Sequence, residues 1–453
     1  METRLEMKKV REGIVNGIKI KFANRLMSIL MLKKILSASL ATIMILAILA
    51  SLVVFSSCSI ISGSNDKDEV TLNLLRLGND MPEAEYWKSL IKEFESKNPG
   101  IKINYDDAAI GEPMETKLNT LFAGGAGPDI IGHGIISVAN RVEAGHYQPI
   151  TDYFSKWEGK DDIMESVLAN GTYKGEVYGL AYSTTPFVFA YRKDMFKEAG
   201  LDPEKPPKTW DELRDYARLL TVKEEDRITR AGFAFPMAAG NFVEFDVFVF
   251  GNGGRFVDDN GMPTINTPEK AEAFEFLKSF IDEVNIPYNS NEVNPFIKGN
   301  AAMTLINNVA LRPMLEDPDL KDKVAIAVPP YNKIKATFSG CNMLFMGSGC
   351  KYRDEAWKFM EFALTKEQVL ERSKSLNIPI TRKSLVEEFA KLDPYNSVRA
   401  ECVEVGIGMP RTTWSPRFQT LRNEMVQKVL YSKLSIEEAL NEAQNKLMEE
   451  IGQ

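Results

Sequence analysis

The sequence runs VTLNLLRL (70–77), EYWKSLIKEFESK (85–97), IKINY (101–105), METKLNTLF (114–122) and DII (129–131), and this stretch decides the fold. Three of these segments have the length and apolar composition of strands, and the other two carry apolar residues three and four positions apart, as amphipathic helices do. Strands that alternate with helices in this way form a mainly parallel sheet with helices on both faces. The sequence therefore predicts an α/β fold whose ligands bind at the carboxyl ends of the strands.

The rest of the chain extends this prediction. Further helices are expected over residues 210–220, capped by Thr209, and over residues 268–284. Apolar strands are expected at the end of 296–305, over 324–328 and over 343–346, before a mostly helical region from residue 355 onward. The length of 453 residues exceeds what one compact core usually serves, which predicts two lobes or domains.

Charge and cysteine usage exclude several classes of function. The net charge is -8, and residues 1–57 carry an excess of six positive charges, so the remaining chain is formally at -14. A body this acidic would repel a phosphate backbone, which argues against nucleic-acid binding. The four cysteines and two histidines form no metal-binding motif, so neither a metal site nor a cofactor is predicted. Because an extended strand would hold Cys341 and Cys350 about 30 Å apart, we expect buried thiols there and no disulfide.

The N-terminal region has the layout of an export signal. Two lysines, Lys33 and Lys34, precede an uncharged apolar run over 35–55, and Ser-Ser-Cys58 follows it. We therefore expect 1–58 to be an N-terminal extension and lipoprotein signal peptide with Met31 as the true start and Cys58 acylated. The small polar residues 59–68 are expected to form a flexible tether. The alternative is an uncleaved membrane helix, since about 20 apolar residues span a bilayer, and either arrangement puts the later residues outside the cell.

Five segments, found in a fixed order along the chain, are typical of one family: FAGGAGPDII (122–131), GEVYGL (175–180), YRKDMFKEAGL (191–201), PPKTWDEL (206–213) and FIKGNAAM (296–303). Together they resemble the family 1 extracellular solute-binding proteins, the group that includes maltose-binding protein. The resemblance implies a periplasmic-binding-protein-like fold, with two α/β lobes joined by a hinge of crossing segments that closes like a clamshell. It places lobe one at 66–183 plus 340–392 and lobe two at 187–337 plus 395–453, with crossings near Thr185, Ser339 and Pro394.

The resemblance also implies a function without catalysis. Such a protein would be a monomer that captures a small ligand, here a mono- or oligosaccharide, and delivers it to the permease subunits of an ABC transporter. A sugar is held by hydrogen bonds from carboxylates, amides and arginine, and by aromatic rings that cover its apolar faces.

Twelve residues occupy loop positions that face the cleft in the family, and they are the candidate ligand-binding residues: Asn79, Asp80, His133, Ser137, Thr184, Thr185, Asn241, Glu244, Asn308, Asn342, Arg411 and Trp414. We expect Glu244 to be the main carboxylate, with Trp414 stacking on a sugar ring and Arg411 binding its hydroxyls. Structural roles stay open for several of them, since Asp80 can cap a turn and Trp414 can pack among the late helices.

Functions from other classes also stay open from the sequence alone. A two-lobe binding protein can take a polyamine or glycerol phosphate in place of a sugar, and the same fold can serve in adhesion or sensing. A secreted glycoside hydrolase would need two carboxylates about 5–10 Å apart across a cleft. The chain contains no GxSxG, HExxH or P-loop motif, so hydrolase chemistry is the least favoured of these alternatives.

Overall fold

A computed structural model describes residues 69–78, 81–237, 241–289 and 292–452, without the side chain of Asn308. The predicted signal, the acylated Cys58, the tether and the candidate residues Asn79 and Asp80 lie outside the described residues. Among the helices within those ranges, none is long and apolar enough to cross a membrane.

The described strands are β1 Val70–Leu77, β2 Ile101–Ala108, β3 Ile130–Gly134, β4 Tyr147–Gln148, β5 Thr172–Tyr173, β6 Glu176–Val177, β7 Gly179–Arg192, β8 Val222–Glu224, β9 Arg227–Arg230, β10 Met303–Asn307, β11 Val324–Ala327, β12 Thr337–Gly347 and β13 Gly406–Ile407. The described helices are α1 Met81–Lys97, α2 Glu112–Ala123, α3 Val138–Glu143, α4 Thr151–Phe154, α5 Glu165–Gly171, α6 Lys193–Glu198, α7 Trp210–Leu220, α8 Val243–Gly251, α9 Pro268–Lys278, α10 Ile281–Val284, α11 Asn308–Glu316, α12 Arg353–Ala363, α13 Lys366–Leu376, α14 Val386–Ala390, α15 Asn396–Glu404, α16 Ser415–Leu430 and α17 Ile436–Glu450.

The central sheet has the strand order β10-β7-β12-β3-β1-β2. Strand β1 pairs in parallel with both β2 and β3, as the alternation of strands and helices predicts. Strand β12 then inserts between β3 and β7 and runs antiparallel to both. The prediction of a mainly parallel sheet was therefore wrong beyond the first three strands, because local periodicity does not reveal a strand that returns from distant sequence.

Strand β7 links the two halves of the sheet. It pairs with β12 up to Pro186, and from Phe187 onward it pairs with β10 and β11 instead. This change of partners falls beside the predicted crossings at Thr185 and Ser339. The lobe boundaries themselves remain predictions.

Local signals placed most helices correctly. Helix α7 has the predicted cap, a reciprocal capping box in which the Thr209 hydroxyl accepts the Glu212 N–H and the Glu212 carboxylate accepts the Thr209 N–H. The helix predicted over 268–284 is interrupted, because α9 ends at Lys278 and Phe280 leaves helical geometry at φ −150°. The interruption is invisible to periodicity, since Phe280 and Ile281 are both buried and continue the apolar pattern.

The cysteine prediction is confirmed for the described residues. Cys341, Cys350 and Cys402 are all unbridged and buried. Burial raises the pKa of the Cys341 and Cys350 thiols to about 12, so both remain protonated at neutral pH.

Candidate functional site

Strand directions bring many of the predicted site residues to one edge of the sheet. Strands β1, β2, β3 and β7 run the same way, and the carboxyl ends of β1, β2 and β3 share this edge, which the middle of β7 passes at Ser183–Thr185. Strand β10 runs antiparallel to β7 and ends at Asn307, facing the same region from the other half. Helix α16 lies against the turn at Ile135–Ser137, and helix α8 lies along β12. We call the region between these edges the cleft.

Two adjacent threonines on β7 face opposite sides of the sheet, because side chains alternate along a strand. Thr185 pairs with Gly340, and its half-buried side chain lies on the same face as that of Asn342, beside Gly134 at the cleft end of β3. Thr184 pairs with Cys341 and is fully buried on the other face. The prediction that Thr184 contacts a ligand is therefore corrected, since it has no accessible surface.

His133 and Ser137 are organised by a carboxylate that the sequence did not single out. Glu115 Oε1 lies 3.0 Å from His133 Nε2 and accepts a hydrogen bond of 3.0 Å from the Ser137 hydroxyl. Glu115 Oε2 accepts a hydrogen bond from the buried Arg141 guanidinium. His133 Nδ1 lies 3.0 Å from the Tyr147 hydroxyl, so both ring nitrogens are engaged. His133 and Ser137 are both buried, so Glu115 is the accessible member of this cluster.

The charge state of Glu115 follows from these contacts. Burial opposes its ionisation, but the hydrogen bond and charge of His133 and the charge of Arg141 outweigh burial and lower the pKa of Glu115 to about 2. Glu115 is therefore an anion at neutral pH. Within the described ranges, no group of three or more His, Cys, Asp or Glu is placed to hold a metal ion.

A second cluster of carboxylates lies at the carboxyl end of β1. Arg76 is fully buried and forms ion pairs of 2.9 Å with Glu83 and 3.1 Å with Asp107. Its Nε also donates a hydrogen bond of 3.1 Å to the Tyr105 hydroxyl. Arg76 therefore fixes the two carboxylates that flank this end of the cleft.

On the other side of the cleft, an arginine from α16 holds the candidate residue Asn241. The Arg422 guanidinium is fully buried and donates hydrogen bonds to the side-chain oxygens of Asp246 and Asn241. The next residue, Asn423, accepts the Phe242 N–H at 3.2 Å. These bonds fix the loop that carries Asn241 onto α16, while Asn241 itself remains exposed.

Glu244, the predicted main carboxylate, opens α8 and is only partly accessible. Its Oε2 atom is buried and has no hydrogen-bond partner among the described residues. Burial, opposed by the charge of Arg422, raises the pKa of Glu244 to about 7. The carboxyl group is thus partly protonated near neutral pH and can donate as well as accept a hydrogen bond.

The raised pKa of Glu244 predicts that the stability difference between the wild type and a Glu244→Gln variant depends on pH. As pH rises from about 4.5 to 7, the unfolded chain loses the Glu244 proton while the folded chain keeps it, so the folded state loses stability. The neutral isostere Glu244→Gln should therefore match the wild type at pH 4 and exceed its free energy of unfolding by roughly 1–2 kcal/mol at pH 8. Urea denaturation of both proteins at the two pH values measures this, and a difference that is independent of pH would contradict it.

Two candidate residues fall elsewhere, whereas Asn308 directly follows β10 at the edge of the cleft. It is the first residue of α11, where the preceding Asn307 side chain caps the helix by accepting the Ala310 N–H at 2.8 Å. Arg411 donates to the Ala169 carbonyl, and the buried Trp414 donates its ring N–H to the Gly261 carbonyl at 3.1 Å. Both line a separate cavity that contains none of the other candidate residues.

Sequence reasoning missed Glu115, Arg422 and Asp246, although one of them left a signal. Arg422 falls on the apolar face of α16, four residues after Phe418 and one after Leu421, and both of these are buried. A charge on such a face requires a buried partner. The identity of that partner, 176 residues away, cannot be read from the local pattern.

Comparison with known proteins agrees with this architecture. A family model described as bacterial extracellular solute-binding protein matches residues 78–370. The maltotriose-binding protein of Pyrococcus abyssi is 24% identical over 344 residues, which cover 73% of this chain and 71% of the relative. The sn-glycerol-3-phosphate-binding periplasmic protein of Escherichia coli K12 is 25% identical over 319 residues, with 65% and 70% covered.

A solved structure shares the fold over most of the chain. It is an ABC transporter solute-binding protein from Thermotoga lettingae TMO bound with α-D-tagatose, with a TM-score of 0.71 and 26% identity, covering 84% of this chain and 100% of that one. This likeness confirms the predicted clamshell fold of two α/β lobes. Because the family model also covers more than half of the sequence, the chain belongs to the bacterial extracellular solute-binding proteins.

Proposed function

We propose that the protein captures a neutral carbohydrate in the cleft and delivers it to the permease of an ABC transporter. The observation that carries this proposal is the chemistry of the accessible cleft groups. Thr185, Asn342 and Asn241 offer a hydroxyl and two amides, which donate and accept hydrogen bonds as sugar hydroxyls require. The names of two relatives, one a maltotriose binder and one bound with tagatose, support the same ligand class.

The pairing of charges at the cleft favours a neutral ligand over an ionic one. Each arginine described there already has a carboxylate partner: Arg76 with Glu83 and Asp107, Arg141 with Glu115, and Arg422 with Asp246. A phosphate would have to displace one of these carboxylates, and a polyamine would have to displace an arginine. Either displacement breaks an existing ion pair and costs free energy, whereas a neutral sugar can bind without breaking one.

A thermal-shift screen of the full-length protein tests the ligand class. The ligands are D-tagatose, maltotriose, sn-glycerol 3-phosphate and spermidine. A ligand at 100 times its Kd stabilises the folded state by about 2.7 kcal/mol, which raises the melting temperature by a few degrees. We expect a shift with a sugar. A shift with glycerol phosphate or spermidine alone would replace the carbohydrate assignment, because the fold would then bind an ionic ligand.

We propose further that the protein acts as a monomer, held at the outer face of the cell membrane by a lipid on Cys58. The signal-like sequence before Cys58 and the small polar residues after it support this arrangement. Cell fractionation tests it: Cys58→Ser should release the protein from the membrane fraction. Retention of the variant at the membrane would favour an uncleaved anchor.

A further inference from the structure

A cavity lies on the side of the crossing strands that faces away from the cleft. Its volume is about 760 Å³, and its lining comes from residues 166–175, 250–262 and 406–414, with Ile451. Asn170 in this lining donates a hydrogen bond of 3.4 Å to the Cys341 sulfur, on the face that Thr184 shares. Thr185 and Asn342 face the other way, so the cavity and the cleft are separate sites.

One wall of the cavity is positively charged. The Arg255 guanidinium donates to the Gly254 carbonyl at 2.7 Å and lies over the Phe250 ring, and it forms no ion pair with any carboxylate in the described ranges. Behind it, Lys270 is 1% exposed, and its ammonium donates hydrogen bonds to the Arg255 carbonyl and the Thr267 hydroxyl. Burial, opposed by the charge of Glu269 and aided by that of Arg255, lowers the pKa of Lys270 to about 8. An anion in the cavity would offset both charges.

Another segment of the lining carries a second cation. Arg411 contacts the Ala169 carbonyl and, in the part of the chain that the structure covers, has no carboxylate partner. A third cation of the lining, Lys174, is neutralised by Glu143 at 2.6 Å. The two acids of the lining, Asp258 and Asp259, are exposed, and the Asp258 carboxylate already accepts two N–H groups of its own turn. Arg255 and Arg411, which are exposed like the two acids, therefore line the cavity without an ion-pair partner among the described residues.

The geometry points to a second binding site in this cavity, for a small sugar that carries a carboxylate or a phosphate. Arg255 and Arg411 would bind the anionic group, because a guanidinium fork matches both kinds of oxyanion. The half-buried Tyr173 ring offers an apolar face for the sugar ring, and the buried Trp414 ring, fixed by its bond to Gly261, also lines the cavity. The site is independent of the carbohydrate proposed for the cleft, since none of Thr185, Asn342 and Asn241 lines this cavity.

Isothermal titration of the full-length protein tests this site with D-glucuronate, D-glucose 6-phosphate and inorganic phosphate, and with D-glucose as the neutral reference. We expect at least one anionic sugar to bind more tightly than D-glucose and to change Trp414 fluorescence. The double variant Arg255→Gln, Arg411→Gln should weaken this binding at least tenfold. Arg417→Gln, which removes an arginine already paired with Glu450 on the outside of α16, is the matched control and should leave the Kd unchanged.

The outcomes separate the alternatives. A response to glucuronate or to glucose 6-phosphate identifies the anionic group that the arginines bind. Binding of inorganic phosphate without either sugar would overturn the assignment of a sugar. Absence of binding by all three anions at millimolar concentration, or an equal Kd in the double variant and the wild type, would overturn the site itself. Thr185→Val should leave the affinities for the three anions unchanged, because its side chain faces the cleft.

Discussion

Replacing Arg422 with alanine is expected to lower the free energy of unfolding by about 3–5 kcal/mol. Arg422 and Asp246 are 0% and 1% exposed, and the substitution would leave the Asp246 carboxylate buried without its partner. Burial already raises the pKa of Asp246 to about 6 even with Arg422 present, so the stranded group would protonate more readily still. Urea denaturation at neutral pH measures the loss.

Two controls on the same chain isolate the buried pair. Arg417→Ala removes an exposed ion pair with Glu450 from the same helix, and we expect it to cost less than about 1 kcal/mol. The double variant Arg422→Met, Asp246→Leu removes both charges and should be more stable than Arg422→Ala, because no buried charge remains unpaired. Equal losses in the Arg417 and Arg422 variants would contradict the role given to the buried pair between α8 and α16.

Replacing Glu115 with alanine is expected to cost about 2–4 kcal/mol, because it removes the partner of the buried Arg141 and the acceptor of the Ser137 hydroxyl. The conservative Glu115→Gln should cost less, about 1–2 kcal/mol, since Glu115 is 37% exposed and solvent screens its charge. Glu112→Gln, one turn earlier on α2 and exposed, is the matched control and should cost at most about 0.5 kcal/mol.

The pH dependence of the Glu115 variant has a definite sign. The folded state holds the pKa of Glu115 at about 2, below the ordinary value of 4.5. The stability that ionised Glu115 supplies is therefore present above about pH 4.5 and is lost as pH falls toward 2. The stability difference between wild type and Glu115→Gln should shrink over the same interval. A difference that stays constant from pH 7 to pH 3 would contradict the proposed charge network.

Local sequence signals account for much of the fold. The capping box at Thr209 and the first strands and helices follow from short-range chemistry, and all appear in the structure within a few residues. The antiparallel insertion of β12 does not, since its residues pair with residues of β7 and β3 that are 153 (Ser339 and Pro186) to 216 (Met346 and Ile130) positions away in sequence. Strand order depends on tertiary packing that no local window contains.

The candidate site was also predicted only in part from the sequence. The resemblance placed candidate residues at the end of β3, in the middle of β7 and in the loop before α8, but it could not distinguish Thr185 from Thr184, whose difference depends on strand register. It also grouped Trp414 with the cleft residues, whereas the ring N–H is fixed on Gly261 in the opposite cavity. The sequence did not indicate Glu115, because its contacts with His133 and Arg141 join it to other secondary-structure elements.

The location of the sugar in the cleft is tested most directly by those two threonines. The measurement is the Kd of the sugar found in the screen, determined by isothermal titration for Thr185→Val and Thr184→Val, two isosteric changes one residue apart. Loss of one neutral hydrogen bond of about 0.5–1.5 kcal/mol predicts a Kd raised roughly 2- to 12-fold in Thr185→Val. Thr184→Val should bind as the wild type does, because Thr184 is buried on the opposite face. An unchanged Kd in Thr185→Val together with a raised Kd in Thr184→Val would contradict the proposed location of the sugar in the cleft.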